Sequence, residues 1–292
     1  MSRPPRRHVL IVGPGRLGLG IGAELLEGDA TVRITYWGHA ESAPDHPMFM
    51  TGAATYVGPG KVPSTHPDGV LITTPDGRIR EAATLVAAAF RPPVPVLHTS
   101  GVLGPDPLAV LAERGDPVGS LHPLVSVANP VRDAHKLRGA WFGVEGDPGA
   151  LELARFLVDA LEGDLIRIDP GGKPLYHAAA VFASNYAVAL LSVAERLMRE
   201  AGVDPQSARE SLTSLAAGAV QNVAAVGPVD ALTGPICRGD AETVALHLGR
   251  LSGQDRPLYS VLARETLLLA IARGLAPDAA ARLSDLLWEL KA

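Results

Sequence analysis

A single cysteine, Cys237, stands in 292 residues. That excludes an internal disulfide and fits a reducing compartment, so a cytoplasmic protein is expected. Aromatic residues make up only 4%, which leaves the core to aliphatic side chains and alanine. Positive charge is not in excess: 26 Lys and Arg face 31 Asp and Glu, a formal net charge of −5. Without a basic patch of useful size, no nucleic-acid partner is expected. Cys/His clusters with metal-ligand spacing are missing and G-x-S-x-G is absent, so neither a metal site nor a serine hydrolase is indicated. Long apolar runs are few. The basic stretch from Met1 to Arg7 imitates an export signal, but Gly13, Pro14, Gly15 and Glu24 interrupt the apolar residues after it. Ala178 to Ala194 carries no charge and nearly reaches spanning length. Ser184, Asn185 and Ser192 lie within it, and His177 and Glu195 bound it. A buried helix of a soluble domain is expected there, and no membrane partner.

What is present begins at the N-terminus. Four apolar residues, Val9 to Val12, enter Gly13-Pro14-Gly15-Arg16-Leu17-Gly18, and helix formers continue through Leu26. Strand, G-x-G-x-x-G turn and helix in that order form a dinucleotide-binding pattern. Gly13 permits the turn, Gly15 admits a pyrophosphate, and Gly18 lets the helix lie close to the strand. The helix N-terminus offers free N–H groups and a partial positive charge. Thr31 to Trp37 is the expected second strand, where an acid at the end would select NAD. Here the strand runs into Gly38 and His39, and the first acid is Glu41. His39 and Arg16 could instead face a 2′-phosphate, so NADP is expected, with NAD as the alternative.

Further strands are expected at 70–74, 94–98, 118–123, 141–144 and 165–168. Helices fit 78–90 (N-capped by Asp76), 108–114 and 151–161, while 43–67 shows no periodicity. Alternation over about 170 residues predicts an α/β fold, a doubly wound parallel (Rossmann) sheet. From Lys173 onward only helices are expected, near 174–201, 205–226, 241–251, 257–273 and 277–290. Pro174, Pro205, Pro257 and Pro277 mark four of the five starts, and Gly202 and Gly274 stand where C-terminal caps belong. The expected division is 1–170 for the dinucleotide-binding domain and 171–292 for an all-helical substrate and dimerisation domain. Five Ala- and Leu-rich helices exceed what so small a domain can bury alone, which predicts a homodimer through it.

Hydride delivery to a carbonyl or imine carbon requires a proton donor and groups that hold the substrate. Thr74 and Pro75, beyond one strand, and Ser100, beyond the next, lie where the cofactor is expected. His122, in Gly119-Ser120-Leu121-His122-Pro123-Leu124, sits at a strand end, either to exchange a proton or to hold a turn. His98 shares that logic. Lys173 and His177 share a face if the helix already includes the lysine; Pro174 makes a later start equally possible. Asn185 lies about 80° around the same helix from His177. In Thr233-Gly234-Pro235-Ile236-Cys237-Arg238-Gly239-Asp240, the arginine either clamps a substrate carboxylate or pairs with Asp240, which caps the next helix.

The order of these motifs resembles a known family. A nucleotide-binding half ending in H-P-L, then K-P-L-Y-H-A-A-A-V-F-A-S-N-Y, then L-T-G-P-I-C-R-G-D, is similar to Rossmann-like NADP-dependent oxidoreductases with a C-terminal helical domain of unknown function. They fall within the 6-phosphogluconate/3-hydroxyisobutyrate dehydrogenase-like superfamily. The hydroxyacid dehydrogenases of that superfamily use a helix lysine in proton transfer with an asparagine four residues later. Lys173 matches the lysine, whereas His177 stands at the asparagine position. G-S-L-H-P-L resembles the G-x-H-P-M turn of prephenate dehydrogenase, whose histidine contacts substrate, and this implies His122. The resemblance implies an NADP-dependent enzyme acting on a small carboxylate-bearing carbonyl or hydroxy compound, with a ketopantoate-like 2-oxo acid first. A cyclic imine reductase of the pyrroline-5-carboxylate reductase type and a non-catalytic NADP-binding sensor or scaffold are the alternatives.

Overall fold

Short apolar strands alternating with amphipathic helices can bury both faces of a sheet only by winding helices over each face. A computed structural model describes residues 7–28 and 31–288. The chain enters through β1 (Arg7–Val12), α1 (Arg16–Gly28), β2 (Val32–Trp37), α2 (Pro47–Met50) and β3 (Ala54–Val57). It crosses back through β4 (Gly69–Ile72), α3 (Ile79–Ala89), β5 (Val96–His98), α4 (Ala109–Ala112) and β6 (Val118–Pro123). β7 (Trp141–Gly146), α5 (Pro148–Ala160), β8 (Asp164–Arg167) and α6 (Lys173–Ala183) follow, and the first compact unit ends at Ala183.

The sheet order is β3-β2-β1-β4-β5-β6-β7-β8. β1 to β6 are mutually parallel, as expected of a doubly wound α/β sheet. β7 runs antiparallel to β6, and β8 follows β7. β7 and β8 thus form a reversed edge on an otherwise parallel sheet. The link from β6 to β7 carries a 3-10 turn at Ala134–Leu137 and no α-helix. One face packs Leu19, Ile21 and Leu25 of α1 and Leu153, Ala154 and Leu157 of α5 against Val9, Ile11 and Ile34. The other packs Ile79, Ala83 and Val86 of α3 against Leu10, Val70 and Ile72. β3 lies in the stretch that showed no periodicity, being too short for alternation to register. Asp76 does not cap α3; it starts a 3-10 turn, and Arg78 occupies the cap position without a capping bond from its side chain.

The second unit, from Ser184, is all-helical among the described residues. It contains α7 (Asn185–Glu200), α8 (Pro205–Ala231), α9 (Ala241–Arg250), α10 (Asp255–Ala272) and α11 (Pro277–Trp288). The expected end of the last helix, 289–290, lies outside the described residues, as does most of the basic N-terminal stretch. The continuous helix expected over 174–201 is broken at Ser184 (φ −119°, ψ −70°). Gly202 (φ 92°) and Gly274 (φ 101°) end helices in the left-handed conformation that caps require. Asp240 caps α9 by accepting from the Thr243 N–H at 3.0 Å. Ile236, Val244, Leu248, Ala263, Leu267 and Leu283 form the core of this unit. α7 buries no residue and α8 only Ala208, which corrects the expectation of a buried central helix. By length and composition, Lys173–Glu200 (taken through its break) and Pro205–Ala231 could each cross a membrane.

Candidate active site on the first unit

The glycine turn sits where strand order reverses, with β2 and β4 on either side of β1, the usual place for a ligand on such a sheet. Gly13 (φ 98°) makes the turn, its N–H donating to the Trp37 carbonyl at 2.9 Å. α1 begins at Arg16, and first-turn N–H groups have no acceptor within a helix. A Cβ on Gly18 would overlap Thr73 Oγ1 and lie 2.7 Å from the Gly13 carbonyl oxygen, so helix and strand meet on glycine alone. A Cβ on Gly15 would meet nothing within 4 Å. The backbone there is open to a ligand and needs no glycine for packing. Pro14 and Leu17 are half-buried, and Arg16 and His39 are exposed. Thr74 holds a buried hydroxyl with no hydrogen-bond partner, and Pro75 beside it is exposed.

A second cluster crosses the sheet. His98 on β5 pairs in register with Ser120 on β6, which pairs with Glu145 on β7, so their side chains share one face. His122 points the same way two residues beyond Ser120. Opposite it stands Gly143, where a Cβ would lie 2.5 Å from the Tyr176 hydroxyl; the missing side chain admits the phenol. α6 supplies Lys173, Tyr176 and His177 at i, i+3 and i+4, one helical face. The helix includes the lysine, since the Tyr176 N–H donates to the Gly172 carbonyl at 3.0 Å.

Hydrogen bonds orient the rings. His98 Nδ1 accepts from the Ser100 N–H at 3.2 Å, so Nε2 carries the proton and donates to the Gly104 carbonyl at 2.8 Å. The Tyr176 hydroxyl donates to the His122 carbonyl at 3.2 Å and lies 3.1 Å from His122 Nδ1. That assignment makes Nδ1 the donor of a neutral His122 and leaves Nε2 as acceptor. The His122 and His177 rings stand edge to face at 5.7 Å, against Gly101, where a Cβ would come 2.9 Å from His122 Nε2. Lys173 is fully buried, its Nζ 5.4 Å from the Tyr176 ring centre and without a hydrogen-bond partner. Burial pushes Lys173 down to about 8, opposed by Glu145 and Asp76. Burial, then the charges of Lys173 and His177, push His122 down to about 4. His98 is likewise pushed down to about 4, chiefly by burial, and burial raises Tyr176 to about 12.

The expected residues therefore divide. Lys173, His177 and His122 come together on one sheet face. Ser100 Oγ accepts from the Val102 and Leu103 N–H groups at 3.3 and 3.1 Å, holding the loop after β5. Asn185 belongs to the second unit, is exposed, and accepts from the Ser184 hydroxyl at 3.0 Å. Its expected helical phase with His177 fails because the break at Ser184 resets the helix. Arg238 is exposed in the second unit, in the turn before α9. Ser120 and Glu145 are not among the expected residues. Nothing local marks them, because their juxtaposition exists only through strand register.

The model of a domain of unknown function (DUF2520) matches residues 140–266. No curated protein matches the sequence. In fold the chain is similar to TM1727 from Thermotoga maritima, 23% identical with a TM-score of 0.70 over 90% of this chain and 98% of that one. It is similar also to BF3122 from Bacteroides fragilis, provisionally named an NADP oxidoreductase, at 18% identity and a TM-score of 0.65 over 92% and 98%. The pyrroline carboxylate reductase of Plasmodium falciparum, solved with NADP bound, is 10% identical with a TM-score of 0.62 over 94% and 98%. These likenesses and the strand order establish a Rossmann-like α/β sheet followed by a helical region.

Proposed function

We propose that the protein is an NADP-dependent reductase of small carbonyl or imine compounds, with Lys173 as proton donor. The carrying observation is that one compact unit holds both an open Gly15 turn at a helix N-terminus and a buried lysine on the helical face of His177, whose ring meets His122. The residues present fit a dinucleotide. Gly13, Pro14, Gly15, Arg16, Leu17 and Gly18 would hold the diphosphate, and Thr74 and Pro75 would border the nicotinamide half. When bound, the cofactor supplies the hydride. His122 and His177 position the substrate carbonyl or imine nitrogen, and Lys173 gives it a proton. Fold likeness to NADP-binding reductases supports the reading. Turnover of NADPH with a panel of 2-oxo acids and cyclic imines tests it; no turnover with any member leaves a binding protein instead.

No carboxylate ends β2, and exposed His39 and Arg16 stand ready for a 2′-phosphate. NADPH therefore binds at least about tenfold more tightly than NADH, by roughly the worth of one charge-assisted contact. Equal or reversed affinities in a fluorescence titration overturn the choice of NADP. For the substrate, a ketopantoate-like 2-oxo acid is one reading. Imine reduction is the second, favoured by Glu145, because a carboxylate near Lys173 favours the iminium formed when the lysine protonates a neutral imine, and repels an acid.

The exposed helices of the second unit fit a second copy of this chain. α8 runs without a break only to the kink at Gly227 (φ 78°), and a helix that buries only Ala208 gains too little from packing to hold its shape alone. Leu215, Val220, Val223 and Val226 of α8 are exposed, and a twofold dimer would cover them. α8 also carries Gln221 and Asn222 in its middle, which suit a protein partner better than lipid. Sedimentation at micromolar concentration shows a dimer; a monomer that binds phospholipid vesicles overturns this.

A further inference from the structure

With Lys173 as the acid, a physical problem arises. An ammonium sealed from water and without a hydrogen-bond partner loses its proton easily, and a donor that has lost it is useless. Something fixed must keep it charged. The groups facing it are few. His98 of β5 and His122 of β6 are neutral, Tyr176 and His177 share its own helix, and Asp76 beyond β4 is exposed. Glu145 differs from all of these. It is 8% exposed, lies on the sheet face beneath α6, and has one carboxylate oxygen buried without a hydrogen-bond partner. Ser120, its partner across the β6–β7 ladder, is fully buried and its hydroxyl is likewise unpartnered. Gly104 lies beside the carboxylate, a Cβ there falling in ordinary contact 3.4 Å from both of its oxygens.

Buried polar atoms in a folded protein rarely go unpaired, and three of them, on Lys173, Glu145 and Ser120, gather here. Interior carboxylates are costly, and one buried on a strand face needs a reason. We infer that Glu145, seated beside Ser120, is a positioning residue for Lys173: its charge holds the buried ammonium protonated, and so sets the pH range in which the protein can deliver a proton. This rests on the proposed role of Lys173 but is tested without relying on turnover. Glu145 acts across a gap, since the Lys173 ammonium has no hydrogen-bond partner. The effect is therefore electrostatic and survives any substrate identity.

The chain has four lysines, Lys61, Lys136, Lys173 and Lys291, so the full-length protein labelled with 13C at lysine Cε gives few signals. Lys173→Met identifies the one that matters. In the unsubstituted protein that signal titrates near 8, well below an exposed lysine. Glu145→Gln moves the midpoint down by about one unit or more, the size expected from losing a nearby opposite charge. Glu145→Asp, which keeps the charge one methylene further back, moves it down by a measurable fraction of that. Either variant leaving the midpoint unchanged overturns the inference, so the Asp variant decides if the Gln variant does not fold. Kinetics separate the two claims. If Lys173→Met retains full turnover, the acid assignment fails whatever the titration shows. If the assignment holds, Glu145→Gln shifts the alkaline limb of kcat to lower pH by the same amount as the midpoint, with the Kd for NADPH unchanged.

Discussion

Lys173→Met lowers kcat for NADPH-dependent reduction by about 10²–10⁴-fold, the usual loss on removing a positioned proton donor. The Kd for NADPH stays within about twofold, because the glycine turn lies on other elements. Methionine approximates the volume of the lysine stem, so α6 keeps its place on the sheet. His177→Ala lowers kcat by a smaller factor, about tenfold or more, since it positions rather than donates. The pH dependence follows from the titration of Lys173. Its folded value, about 8, lies below the ordinary lysine value of 10.5. Reduction needs the ammonium, so the rate is flat at neutral pH and falls as pH rises through about 8. Oxidation of the product needs the free amine and rises over the same range. His122, pushed down to about 4, stays neutral throughout and adds no limb near 6.5. A rate that climbs with pH between 7 and 9 in the reductive direction contradicts the assignment.

Gly15→Val abolishes nucleotide binding while leaving the fold intact. The steric contrast within one motif makes this test sharp. A side chain at Gly18 collides with Thr73 and the Gly13 carbonyl, so substitution there disrupts the packing of α1. At Gly15 the space is open and the backbone is not left-handed, so valine costs the free protein little. Its branched side chain then fills the approach to the first-turn N–H groups. Affinity for NADPH falls by about 100-fold or more, roughly 3 kcal/mol, with the thermal midpoint within about 2 °C of the unsubstituted protein. Unchanged affinity in a fluorescence titration means that the ligand lies elsewhere.

The two halves of this site differ in how far the sequence exposes them. The nucleotide turn is contiguous, so six residues display both the glycine spacing and the strand and helix that flank it. Lys173 and His177 are visible as polar residues one turn apart, and His122 as a histidine at a strand end. Ser120 and Glu145 are not visible, because only the register of β5, β6 and β7 places them in one row with His98. That register depends on the antiparallel return of β7, which no motif marks. β3 escapes for a simpler reason: four residues at a half-exposed edge carry too little alternation. Asn185 misleads for the opposite reason. The run Ala183-Ser184-Asn185 contains neither Gly nor Pro, so a continuous helical phase fits the residues while the backbone turns at Ser184.

Whether this site supports hydride transfer is tested most directly with NADPH carrying deuterium at both positions of the nicotinamide C4. Wild-type protein is incubated with it and a panel of 2-oxo acids and cyclic imines, and the products are weighed by mass spectrometry. A reductase places one deuterium on the former carbonyl or imine carbon of at least one member, and Lys173→Met slows that transfer by about 10²-fold or more. NADPH bound tightly by the wild-type protein, with no deuterium reaching any product, contradicts the account and leaves the protein a nucleotide-binding sensor.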